Sequence, residues 1–205
     1  MYTPRAFAVD DLQSLDALFA RDAFVTLVTT AADSAPLASP LPVLYRRDGD
    51  TLRIEGHWAR PNPQAAHDGP ALMIAHGPHA YVSPGWYPDK IEAARVPTWN
   101  YATAHLRGRL ERFDDEVALA GLVARISDEF EARVGGDWRF DIDDDRQRRQ
   151  LRGIVGFRFH VDAVEITHKL SQNHPAANRS AVAEALSAGD THAREIAAMM
   201  RAIEP

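Results

Sequence analysis

Between residues 77 and 101 the chain reads GPHAYVSPGWYPDKIEAARVPTWNY, with two tryptophans, three tyrosines and a histidine set among prolines. Pro84, Pro88 and Pro97 restrict the backbone, so Trp86, Tyr87, Trp99 and Tyr101 can be held as rigid aromatic surface at little entropic cost. Such a segment forms either a wall beside a ligand or a satellite core against neighbouring strands. Histidines supply the second kind of chemistry. His76 and His79 stand three apart around Gly77-Pro78, and His57 and His105 fall in other apolar runs. Imidazoles in that number can ligate a metal or haem, or line a cavity as hydrogen-bond donors. Their spacing is not helical and no acidic or cysteine partner stands close, which favours hydrogen bonding for His79 and His105.

What must position these residues is bounded by composition. A chain of 205 residues can bury a sound core in one domain. It contains no cysteine, which excludes disulfides, thiolate nucleophiles and Cys-ligated zinc or iron–sulfur centres. The formal charge of -6 argues against a broad electrostatic grip on nucleic acid. No signal-like N-terminus or membrane-length apolar run is present, and a cytoplasmic location is expected. A dinucleotide-binding G-x-G-x-x-G, a P-loop, an H-E-x-x-H helix and a G-x-S-x-G elbow are all missing, so a cofactor site would be assembled from strands and loops. The acidic run DIDDD at 141–145 reads as a solvated loop and helix start rather than a metal site. Met199 and Met200 read as packing residues.

Periodicity supplies the elements. DDLQSLDALFARDA places Leu12, Leu15, Leu18 and Phe19 on one helical face, with Asp10 as its cap. AFVTLVTT is a β-branched strand, and the apolar runs on either side of Asp48-Gly49 form a hairpin. ALMIAHG is a buried strand, the segment from Tyr101 to Phe113 is a long strand bent or bulged at Gly108, and 153–170 is read as two further strands. A helix capped by Asp114 or Asp115 carries an apolar stripe from Val117 through Leu119, Leu122, Val123, Ile126 to Phe130, and stops at Gly135-Gly136. Two more helices follow, around Val182 and Leu186 and around Ile196 and Met199, separated by Gly189-Asp190. Six or so short antiparallel strands imply a barrel or sandwich in an α+β protein.

Five local words, GHWARPNPQ, GPHAYVSPGWYP, VPTWNYATAHLRG, GIVGFRFHV and KLSQNHPAANR, stand in this order from residue 56 to residue 179. Together they resemble the PaiB-like family of FMN-binding negative transcriptional regulators, over nearly the whole chain except the final helices. The resemblance implies a split β-barrel of antiparallel strands, of the flavin reductase and pyridoxamine-phosphate-oxidase type, with peripheral helices. It implies a domain over 1–175 with a helical segment, 176–205, packed on it, and a homodimer holding FMN near the subunit interface.

On that reading, HWARPN offers the flavin phosphate a cationic fork at Arg60, flanked by His57, Ala59 and Asn62 on a proline-stiffened turn. Ser39 and Leu41 of ASPLPV allow close backbone approach to the ring, with backbone amides along its polar edge and aromatic cover over its face. His79, Trp99, Tyr101 and His105 line the cavity. Lys169 of KLSQN closes the site or bonds across the dimer. Two activities stand beside each other: an FMN-dependent oxidoreductase with a nicotinamide donor, and a flavin-responsive regulator. The residues show no helix-turn-helix, basic arm or zinc finger for direct DNA readout. A His-ligated haem or metal barrel is the third alternative.

Overall fold

The computed structural model describes residues 1–203. Seven strands form one sheet: β1 (Ala8–Val9), β2 (Phe24–Thr30), β3 (Pro36–Asp48), β4 (Thr51–Ala59), β5 (Gly69–Val82), β6 (Thr98–Phe113) and β7 (Ile154–Lys169). Their order is β1-β7-β4-β3-β2-β5-β6, and β6 also pairs with β7, so the strand order returns on itself. The β1–β7, β7–β4, β4–β3, β3–β2 and β2–β5 ladders are all antiparallel. Five helices accompany the sheet: α1 (Leu12–Arg21), α2 (Glu116–Val134), α3 (Asp145–Gln150), α4 (Ala176–Ser187) and α5 (Thr191–Arg201). Among the described residues no helix is long and apolar enough to cross a membrane.

The chain divides into two compact units. The first consists of Phe19–Ala75 and His105–Val164. Its core draws on alternate residues of its strands, including Val25, Leu27, Val43, Ile54, Trp58, Met73, Leu106, Phe157 and Phe159, all buried. Phe19 stacks on Tyr45 at 4.2 Å between ring centroids, and Trp58 tilts against Phe157 at 4.5 Å. The β3–β4 hairpin turns at Gly49-Asp50, with Asp48 opposite Thr51. Gly108 lies inside the continuous strand β6. A Cβ there would stand 2.0 Å from the His160 carbonyl oxygen, so the glycine permits β6 and β7 to close on each other. Helix α2 starts at Asp115, whose carboxylate accepts the Ala118 amide at 2.8 Å, and ends at Gly135 in the left-handed region at φ 71°. It buries Leu119, Ala120 and Leu122, but Val117 is 74% exposed and stands outside the stripe expected of it.

The second unit consists of Met1–Leu18, His76–Ala104 and the chain from Glu165 on. Here α4 and α5 pack Val182, Leu186, Ile196, Ala197 and Met200 against Ala80 and Val82 of β5, Tyr87 and Leu170. Met199 packs on the same cluster, so both methionines are core. Asp190 caps α5 through the Ala193 amide at 2.8 Å. The first helix is capped one residue later than its pattern implies: Asp11, not Asp10, accepts the Gln13 amide at 2.9 Å. The segment from 154 to 169 is a single strand rather than two. Residues 154–159 pair with β4, whereas Ile166 and Thr167 pair with β1.

Candidate functional site

Three prolines shape β3. Its half from Pro36 to Pro42 pairs with β2, and its pairing with β4 begins only at Val43 opposite Gly56. Beyond that point β4 keeps only its ladder with β7, with His57 opposite Gly156 and Ala59 opposite Ile154. Proline has no amide to give a second neighbour, so this half of β3 is left with strand pairing on one side. The turn that follows β4 lies along that side. Asn62 Nδ2 donates to Ser39 Oγ at 2.9 Å, and Gln64 Nε2 lies 3.0 Å from the Leu37 carbonyl, 3.1 Å from that of Leu27 and 3.0 Å from Thr29 Oγ1. Asn62 also caps the short helical turn of Pro63–Ala66 by accepting the Gln64 amide.

Arg60 leaves this turn with its guanidinium fixed. Nε donates to the Arg152 carbonyl at 2.7 Å and Nη2 to that of Ile154 at 2.9 Å, while the Arg60 amide reaches Gly153 O at 2.7 Å. Two of five N–H donors are therefore committed to main chain, which sets the plane of the fork. Nη1 stands 3.9 Å from Asp114 Oδ2. A cavity of about 290 Å³ beside it is lined by Arg60, Asp114, Glu116, Leu119, Leu151 and Arg152. His57 is half-buried on β4, its Nδ1 is enclosed without a hydrogen-bond partner, and burial pushes the imidazole below its ordinary pKa. Leu41 is buried, Ala59 exposed, and His105 half-buried on β6. Ser39 and Asn62 thus meet at the turn that also carries Arg60.

The remaining candidates belong to the second unit. Trp99 is 51% exposed, with His79 at 5.9 Å and Tyr81 at 6.0 Å between ring centroids, and His192 meets His79 edge-on at 4.6 Å. Tyr101 follows on the same face of β6, half-buried. Lys169 ends β7 and donates to Thr98 Oγ1. The aromatic segment therefore has two fates: Tyr87 is 1% exposed and Trp86 packs beside it as core, whereas Trp99 stays on the surface. Among the described residues no group of three or more His, Asp or Glu side chains is placed to hold a metal ion. Gln64 was not singled out from sequence. Its signal lies in NPQ, where a proline-fixed turn carries a long amide inward to the carbonyls of two strands.

Comparison with known proteins places the molecule. Residues 1–163 match the family model described as "Putative FMN-binding domain". The chain is 30% identical over 207 residues to the protease synthase and sporulation protein PAI 2 of Bacillus subtilis (strain 168), covering 98% of this chain and 96% of that one. Among solved structures it is similar to the FAD and heme binding protein from Mycobacterium smegmatis, at TM-score 0.58 and 18% identity, over 79% of this chain and 73% of that one. It is also similar to the flavocytochrome Anf3 from Azotobacter vinelandii, at TM-score 0.55 and 14% identity, over 79% and 69%. At such identities the structural likeness speaks for fold alone, and the fold is an antiparallel split barrel with peripheral helices. Family model and full-length relative agree: the chain belongs to the PaiB-like FMN-binding domain family.

Proposed function

We propose that the chain binds FMN, with the phosphate at the turn after β4 and the polar edge of the ring along the Ser39–Leu41 segment of β3. The observation that carries this reading is the half of β3 with strand pairing on one side only, lying against a turn that holds a fixed arginine fork. Arg60, anchored by two carbonyls, keeps three N–H donors for a phosphate, and needs no reorganisation to present them. Asn62 and Ser39 add neutral donors, and Ala59 is small enough to let a ligand approach the main chain. His57 and His105 supply imidazoles, and the enclosed Nδ1 of His57 fits a polar ligand edge better than an apolar one. In the second unit, His79, Trp99 and Tyr101 are candidate contacts for a flat heteroaromatic ring, the half-exposed indole of Trp99 offering a suitable π-face.

Bound FMN would supply hydride or electron transfer, and a nicotinamide donor is the natural source of the hydride. The chain's own residues hold the phosphate, orient the ring and shape water access. Asp114, 3.9 Å from Arg60 Nη1, opposes a phosphate dianion there and limits affinity. Arg60→Ala tests the assignment. It should weaken FMN at least about tenfold while leaving riboflavin nearly unchanged, because only FMN carries the phosphate and a charge-assisted fork contributes on the order of 1.5–3 kcal/mol. Equal losses for both flavins would make Arg60 a scaffold of the turn, and no loss for either would move the phosphate elsewhere.

A further inference from the structure

The turn after β7 in the second unit holds a backbone conformation that a side chain disfavours. Ser171 sits at φ 63°, in the left-handed region where glycine is the usual occupant. Three side chains keep it there. Ser171 Oγ lies 3.1 Å from Asn100 Nδ2 and 3.2 Å from Asn100 Oδ1, both residues being buried. Gln172 accepts the Leu170 amide through Oε1 at 2.7 Å and donates through Nε2 to the His168 carbonyl. Strain kept in place by dedicated hydrogen bonds is characteristic of a turn that aims something. What it aims is Lys169, whose ammonium donates to Thr98 Oγ1 in the wall of a cavity of about 400 Å³.

The lining of that cavity has one sign of charge. Arg95, Thr98, Asn100, Lys169, Asn173 and His174 are among its polar groups, and among the described residues no carboxylate lines it. Arg95 is already committed to Asp89, through Nε at 2.9 Å and through Nη2. Lys169 has no ion-pair partner among the described residues, and its hydrogen bond to Thr98 leaves two ammonium protons to donate. Lys90 and Lys169 are the only lysines among 23 basic residues, so a compact ammonium at this position is not what the arginine-rich composition would supply by default. His174 stacks on Tyr87 at 5.0 Å, and its Nδ1 is enclosed without a partner. Burial, then the charges of Arg95 and Lys169, hold this imidazole below its ordinary pKa against the opposing pull of Asp89. This favours the neutral imidazole, which keeps a single N–H donor.

We propose that this pocket binds a small molecule through an oxyanion, phosphate or carboxylate, paired with Lys169 and bonded by Thr98 and His174, separately from the flavin. The volume exceeds what a bare ion fills, so the oxyanion is one end of a metabolite-sized ligand. The inference stands on the pocket alone and does not require the flavin assignment.

Calorimetric titration with inorganic phosphate and, separately, with succinate tests it, using protein saturated with FMN so that a flavin phosphate site is filled. If flavin does not bind, the same titrations on an Arg60→Ala background remove that competing cation. One saturable site per chain is expected for at least one probe, and the tighter probe identifies the oxyanion. Lys169→Gln should weaken it at least about tenfold. Val96→Glu should do the same by placing a carboxylate on the rim at a residue 71% exposed, where folding is not at stake. No binding of either probe at millimolar concentration, unchanged affinity in both variants, or binding that occurs in flavin-free protein and disappears with FMN would each overturn the proposal. Flavin absorbance in the same samples reports the FMN assignment independently.

Discussion

Three histidines tie single residues to the stability of the whole chain. His57, His168 and His174 are each held below the ordinary imidazole pKa, with burial the leading cause in every case. The unfolded chain protonates at about 6.5, so it takes up protons there that the folded chain refuses. The stability these residues contribute is present above that pH and is lost as pH falls through their folded pKa values. Asp89 behaves oppositely in position: its hydrogen bond from Arg95 lowers it to about 2, so its contribution persists until far more acidic conditions. Denaturant unfolding followed from pH 7.5 to about 5 should therefore show a falling midpoint, and His57→Gln should flatten the fall. A midpoint independent of pH over that window would mean these imidazoles are solvated in the folded protein. At this scale the sequence marks Arg60 through the prolines beside it, and the structure fixes its guanidinium on the Arg152 and Ile154 carbonyls. It singled out Lys169 through KLSQN but not the partner Thr98, which meets the lysine only through the fold.

Elements were legible where a local rule and the tertiary environment agreed. The β3–β4 hairpin follows from Asp48-Gly49 between apolar runs, and α2 from Asp115 at its start and Gly135 at its end. The segment 153–170 reads as two strands in sequence, and in the structure His160, Asp162 and Ala163 at its middle are exposed. Strand β7 is instead a single strand that changes partner, from β4 to β1, between Phe159 and Ile166. A change of partner leaves no composition signal. The same limit applies to Gly108, where the controlling fact is the His160 carbonyl across the β6–β7 seam. Gly108→Ala should destabilise by about 2 kcal/mol or more, since the methyl meets backbone that cannot rotate away, and Asp115→Ala should cost about 0.5–2 kcal/mol through the lost cap. Urea unfolding of both variants distinguishes them. A Gly108→Ala cost below that of Asp115→Ala would show that the two strands separate easily.

For the whole molecule, the account makes two claims of different reach. Trp99, Tyr81 and His79 form an exposed aromatic cluster on the second unit, and we propose that a homodimer covers it. Light scattering at micromolar concentration should give twice the chain mass of 22.7 kDa, and Trp99→Glu should shift the species toward monomer. A chain-mass particle with unmodified protein would exclude the dimer. The central claim is FMN binding, and a spectrophotometric titration of flavin-free protein with FMN, read together with thermal unfolding, tests it most directly. One FMN per chain should bind with a perturbed flavin spectrum, and excess ligand at about 100 times its dissociation constant should add about 2.7 kcal/mol of stability. An unperturbed spectrum and an unfolding midpoint unmoved by saturating FMN would contradict it.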